Sequence, residues 1–173
     1  MKRSLLALAV ASVVFAVAAS AKPVSNFGGC GYSTSFNPAE SYAQTFKPTF
    51  SVLKKARFAL FGDESSSEDT MFQLVLTNQA GEFVAASDYA ILAAGTSHDD
   101  AASGDALTFT FSRGVRVTPG QTYQLELMRH SGTAPIRICE TYRSYGDGWF
   151  LWQTWPQMDW DLEFGLKGTG PGK

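Results

Sequence analysis

Residues 142–160 contain Tyr142, Tyr145, Trp149, Trp152, Trp155 and Trp160, with Phe150 among them, and so hold all four tryptophans of the sequence. Exposed flat aromatic rings stack on the apolar faces of sugars and anchor protein interfaces. Asp147, Gln153, Gln157, Asp159 and Arg143 supply hydrogen-bonding groups in the same stretch. The candidate ligand-binding residues are therefore Tyr142, Tyr145, Asp147, Trp149, Trp152, Trp155 and Trp160. The chemistry they suit is recognition, with a glycan or an envelope or extracellular protein as partner. A structural use of the same residues stays open: Trp149-Phe150-Leu151-Trp152 also reads as a hairpin strand whose alternate residues fill a core.

Other chemistries find less support. Asp63, Glu64, Glu68 and Asp69 form an acidic loop that could offer oxygens to calcium, and Asp159 and Asp161 with Asp147 form a second such group. Neither has the Asp-x-Asp-x-Asp-Gly spacing of a calcium loop, so the expectation is no metal and no cofactor, with calcium as the one cation left open. His98 lies in a small-residue polar loop and His130 follows Arg129, outside any nucleophile-elbow or metalloprotease motif. A glycosidase needs two carboxylates flanking a cleft, and Glu126, Glu140, Asp159, Asp161 and Glu163 offer pairs by number alone. The sequence predicts no enzyme, and a glycoside or ester hydrolase is the third reading behind a binding module and a structural component of the envelope.

The N-terminus sets the compartment. Met1-Lys2-Arg3 precedes an almost unbroken apolar run from Leu5 to Ala18 that ends near Ala19-Ser20-Ala21, the layout of a secretory signal, with cleavage expected after Ala21. The run is shorter than the roughly 20 residues that a membrane-spanning helix requires. An exported product, periplasmic or extracellular, is predicted, with no membrane span after cleavage. Lys2 and Arg3 belong to this leader, so the sixteen Asp+Glu outweigh the remaining Lys and Arg, and no basic footprint for nucleic acid appears. Cys30 and Cys139 both follow the leader, where disulfides form and persist, and pair in the one intramolecular way two cysteines allow. Closing a loop of ~109 residues stabilises the fold by roughly 4 to 5 kcal/mol in the chain-entropy model. The spacing is no CxxC, which disfavours redox catalysis and zinc.

The elements that must position the aromatics are strands. No stretch after the leader keeps a 3.6-residue apolar period, whereas alternating segments recur between turn signals. Residues 22–41 read as an irregular lead-in, 42–167 as the β-domain and 168–173 as a flexible tail. Within the domain, Tyr42-Ala43-Gln44-Thr45-Phe46 and the run from Val52 to Phe61 are strands. The segment Met71 to Leu76 turns through Asn78-Gln79-Ala80-Gly81 into Glu82-Phe83-Val84-Ala85 as a hairpin. Leu107-Thr108-Phe109-Thr110-Phe111 alternates, and Gly114 marks a bulge or turn. Thr118-Pro119-Gly120-Gln121 predicts a type II turn. The fold class is all-β, an antiparallel two-sheet β-sandwich of about eight to ten strands.

The order of several landmarks resembles the jelly-roll β-sandwich modules of bacterial exported proteins, a group that includes carbohydrate-binding-like domains. The matching pieces are Ala43-Gln44-Thr45-Phe46-Lys47-Pro48 with Val52-Leu53, then Val117-Thr118-Pro119-Gly120-Gln121-Thr122-Tyr123, Ser144-Tyr145-Gly146-Asp147-Gly148 and Asp161-Leu162-Glu163-Phe164, spread over residues 42–166. The resemblance implies a jelly-roll topology and a role in sugar binding, adhesion or spacing. A fold alone does not choose among these.

Overall fold

A computed structural model describes residues 24–25, 30, 32–37, 40–62, 67–95, 106–142, 145–153, 155–157 and 159–170. The expected leader at residues 1–21, His98, Arg143 and the acidic residues Asp63 and Glu64 lie outside them. The described residues contain strands and no helix. The strands are β1 (Val24–Ser25), β2 (Tyr32–Ser35), β3 (Tyr42–Phe46), β4 (Val52–Phe58), β5 (Leu60–Phe61), β6 (Thr70–Asn78), β7 (Phe83–Ala86), β8 (Ala90–Leu92), β9 (Leu107–Arg116), β10 (Tyr123–Ser131), β11 (Arg137–Tyr142), β12 (Phe150–Trp152), β13 (Trp155–Gln157), β14 (Trp160–Leu162) and β15 (Phe164–Thr169).

The molecule is an antiparallel β-sandwich. One principal sheet runs β13-β12-β3-β10-β6-β7, with β8 also paired to β6, and the other runs β1-β15-β4-β9. Alternation explains which residues meet between them. Leu74, Leu76, Leu125 and Leu127 from the larger sheet and Leu53, Phe58, Phe109 and Phe164 from the smaller one point inward and form one continuous core. The fifteen strands exceed the expected eight to ten because several are only two or three residues long, too short for alternation to register in the sequence. The lead-in is also more regular than its Gly-rich composition suggests, since it contributes β1 and β2. At the other end, β15 continues to Thr169, two residues into the segment expected as tail.

A third small sheet, β14-β11-β2 with β5 on β11, branches from the smaller principal sheet. Two chain runs cross the branch point: β4 becomes β5 at Ala59, and β14 becomes β15 at Glu163. There Ala59 N–H donates to Glu163 O (3.1 Å), Glu163 N–H to Cys139 O (2.8 Å) and Cys139 N–H to Ala59 O (3.1 Å). Cys30 and Cys139, with sulfurs at bonding distance and Cα atoms 5.4 Å apart, tie the lead-in to this junction.

The predicted turns are present. Asn78 Oδ1 accepts from the N–H groups of Ala80 and Glu82, and Gly81 has φ 79°, closing the β6–β7 hairpin. Gly120 (φ 79°) occupies the position of a type II turn that requires positive φ. Gly114 (φ 66°) interrupts β9 where its register against β4 shifts.

Candidate functional site

At one edge of the larger sheet the β12–β13 hairpin extends it beyond β3. Trp152 pairs with Trp155 across the hairpin, Phe150 with Gln157, and on the other side Trp152 with Tyr42 and Phe150 with Gln44. Residues opposite each other in an antiparallel pair share a face. Phe150, Trp152, Trp155 and Gln157 therefore line one face of the hairpin. On the third sheet, register puts Glu140 beside Leu162 and Tyr142 beside Trp160, while Ile138 faces Thr34. The buried Leu162 and Ile138 belong to the core. A pocket of about 380 Å³ is lined by Phe150, Trp152 and Gln157 of the hairpin and by Thr34, Glu140 and Trp160 of the third sheet. This is within the size range of small-ligand sites, and aromatic walls with few polar groups are what such sites use.

Each wall has a local reason for its position. The Trp152 Nε1–H donates to Glu40 Oε2 (2.8 Å), and the same oxygen lies 2.7 Å from the Tyr42 hydroxyl that donates to it. These bonds hold the Glu40 carboxyl below its usual range, the Tyr42 bond contributing most. Burial pushes the Tyr42 hydroxyl up to about 12, with the bond to Glu40 acting the same way. Glu40 thus fixes the indole of Trp152. Trp160 stacks edge-on against Tyr142, with ring centroids 5.6 Å apart. On the third sheet, Glu140 is only 4% exposed, and its Oε1 has no hydrogen-bond partner among the described residues. Burial raises its carboxyl above the usual range, and a hydrogen bond from Thr34 opposes that shift.

The hairpin hangs on β3 through backbone and side-chain bonds. Thr45 N–H donates to Trp149 O (2.9 Å), Trp149 N–H to Thr45 Oγ1 (2.6 Å) and Gln153 N–H to Ser41 O (2.9 Å). The buried Gln44 crosses from β3 to the third sheet: its Nε2–H donates to Asp161 Oδ1 (3.1 Å) and its Oε1 accepts from Leu162 N–H (2.8 Å). A polar residue on an inward position is tolerated because both ends of its amide are satisfied.

The seven residues singled out from the sequence therefore separate. Trp152 and Trp160 line the pocket, Trp155 extends the Trp152 face outward at 73% exposure, and Tyr142 flanks Trp160 at the surface. Trp149 is exposed on the approach to β12. Tyr145 is an anchor: its hydroxyl accepts from Lys47 N–H (3.0 Å), its N–H donates to Asp161 Oδ2 (2.9 Å), and its ring packs edge-on against Phe164 at 5.3 Å. Burial raises its hydroxyl above the usual value. Asp147 is exposed and pairs with Lys47 at 3.8 Å, away from the pocket. Glu40, Thr34 and Glu140 were not marked as ligand-binding residues by the sequence. They come from the lead-in and a distant strand, and no local motif connects them to the tryptophans.

The acidic groups considered for calcium have other partners where they are described. Glu68 Oε2 accepts from the N–H and hydroxyl of Thr133, both at 2.8 Å, which holds its carboxyl below the usual range. Asp69 Oδ1 accepts from Ala94 N–H (2.8 Å). Asp161 receives Gln44 and Tyr145. His130 stacks edge-on against Tyr89 at 5.0 Å. No helix among the described residues is long and apolar enough to cross a membrane. No protein-family model matches this chain, and no curated protein matches it.

Proposed function

We propose that this protein is an exported, non-catalytic binding module that takes a glycan into the cleft between the β12–β13 hairpin and the third sheet. The observation that carries this reading is the convergence of Trp152, Trp160 and Phe150 with Thr34, Gln157 and the buried Glu140 around one pocket of about 380 Å³. A sugar has apolar ring faces edged with hydroxyls. The indoles offer stacking surfaces, while Gln157, Thr34 and the Glu140 oxygen lacking a partner offer hydrogen bonds. Glu140 is the one carboxylate among the described lining residues, whereas glycoside hydrolysis ordinarily requires two flanking the scissile bond. The Cys30–Cys139 pair supports export. The exposed Tyr142, Trp149 and Trp155 also suit an envelope protein partner, which is the second reading.

Intrinsic tryptophan fluorescence with acrylamide quenching, across a panel of soluble polysaccharides, tests the proposal. A glycan that shifts the emission and protects it from acrylamide, with both effects lost in a folded Trp152→Ala variant, is the expected result. Emission indifferent to every glycan, together with a Trp155-dependent pull-down from envelope extract, would overturn it in favour of the protein partner.

A further inference from the structure

The smaller principal sheet has an unusual charge distribution. Its strands β1, β4, β9 and β15 carry Lys54, Lys55, Arg57, Arg113, Arg116 and Lys167, and none carries an Asp or Glu. These are six of the fourteen Lys and Arg in a chain whose net charge is −2. The imbalance is therefore local to one sheet.

Register concentrates part of it at one place on the outer face. Lys55 on β4 lies directly opposite Lys167 on β15, and Thr110 on β9 is its other neighbour. In the next row, Arg57 lies between Gly165 and Thr108, and Gly165 is paired in turn with Ser25 on β1. The inward positions of these strands are apolar, including Phe58, Phe109 and Leu166, so the cations stand on the face away from the core. Because Gly165 has no side chain, a hollow of about 410 Å³ opens between the rows, lined by Ser25, Lys55, Arg57, Thr108, Gly165, Leu166 and Lys167. The Asp88 carboxylate accepts from Ser112 further along β9 and does not line it.

Like charges facing each other across an antiparallel pair destabilise a sheet. Departures from local consistency of this kind concentrate at functional sites. We propose that the hollow on the outer face of this sheet binds the phosphate group of a phosphate ester. A phosphate monoester carries close to two negative charges and several acceptor oxygens. Lys55 and Lys167 offer point charges, Arg57 adds a third positive charge beside them, and the Ser25 and Thr108 hydroxyls complete the set. A bound phosphate turns the Lys55–Lys167 opposition into joint coordination of one anion. This site is separate from the aromatic pocket and does not depend on the glycan reading.

The test is a titration of the folded protein with glycerol 3-phosphate, followed by amide NMR and matched in ionic strength by sodium chloride. The expected result is saturable shifts at Lys55, Arg57, Gly165 and Lys167 that chloride does not reproduce. A Lys55→Thr/Lys167→Thr variant with an intact spectrum binds at least tenfold more weakly. Shifts that chloride reproduces, shifts that never saturate, or unchanged affinity in the double variant overturn the proposal. Co-sedimentation with phosphatidic acid-containing vesicles, absent with phosphatidylcholine alone and lost in the double variant, identifies a lipid headgroup as the source of the phosphate; saturable glycerol 3-phosphate binding without co-sedimentation identifies a soluble ester.

Discussion

At the scale of single residues, Glu140 and Glu40 show two opposite ways of placing a carboxyl beside an aromatic wall. Glu140 is buried and its carboxyl is raised, chiefly by desolvation. Its folded-state value therefore exceeds the unfolded one. The neutral form is fully compatible with folding below the unfolded value near 4.5, and stability is lost as pH rises through the folded value. A Glu140→Gln variant is expected to match the parent near pH 4 and to exceed it by about 1 kcal/mol at pH 7, measured by urea unfolding at both values. Parallel pH dependence in the two proteins would show that Glu140 is not under this penalty. Glu40 instead accepts bonds from Tyr42 and Trp152, and the neutral Tyr42 hydroxyl donates one of them. Absorbance titration at 295 nm is expected to show one tyrosine that does not ionise until about pH 12 while the fold persists. Since that value lies above the unfolded one near 10, the Tyr42 contribution is complete below pH 10 and fades between 10 and 12. Replacing Glu40 with Ala should leave the fold intact, release the Trp152 ring and weaken glycan binding roughly tenfold or less, against a larger loss for Trp152→Ala, as read by fluorescence titration.

At the scale of elements, the β12–β13 hairpin decides whether the site exists. Its turn places Gln153 at φ 52°, a left-handed conformation that side-chain-bearing residues adopt at a cost and that two-residue hairpin turns require. Gln153→Gly should relieve that strain but also removes the side-chain bond from Gln153 to Glu40, so a net stabilisation of less than ~1 kcal/mol is expected by thermal unfolding. The opposite outcome is expected at Gly148, where the chain enters the hairpin. A Cβ there would lie 1.9 Å from the Thr45 carbonyl oxygen, so β12 could not keep its place on β3. Gly148→Ala is predicted to cost about 2 kcal/mol or more and to abolish ligand protection of the tryptophans, with amide exchange rising first at residues 149–157. Uniform exchange across the sandwich would mean that the hairpin is not a separable unit.

At the scale of the whole molecule, the Cys30–Cys139 pair and the branch point beside it join the lead-in to both sheets that share the β4–β5 and β14–β15 runs. The bridge closes a loop across 109 positions of sequence. A Cys30→Ser/Cys139→Ser variant is therefore expected to lose roughly 4 to 5 kcal/mol of unfolding free energy, measured by denaturant titration. Because β2 carries Thr34 and leads into Glu40, the same variant should also weaken the ligand site. Two surfaces then separate by chemistry across the molecule: an aromatic cleft with a buried acid between the hairpin and the third sheet, and a cationic hollow on the outer face of the smaller sheet.

The all-β class was legible in residue order alone, because period-two alternation runs along β6 and through the first halves of β9 and β10. The sequence by itself also determined the turns at Asn78–Gly81 and Pro119-Gly120, whose residue types answer local dihedral demands, and it identified the aromatic stretch as the unusual part of the chain. Local patterning could not show the short strands, since two or three residues carry no period. Nor could it separate Tyr145, which anchors the core, from Trp152, which lines a cleft, because exposure depends on what lies across the sheet. The tertiary structure alone decided that Glu40, Thr34 and Glu140 join the tryptophans and that Lys55 faces Lys167. Antiparallel register brings together residues more than a hundred positions apart, and nothing in the spacing of a single segment encodes which distant segment will become its neighbour.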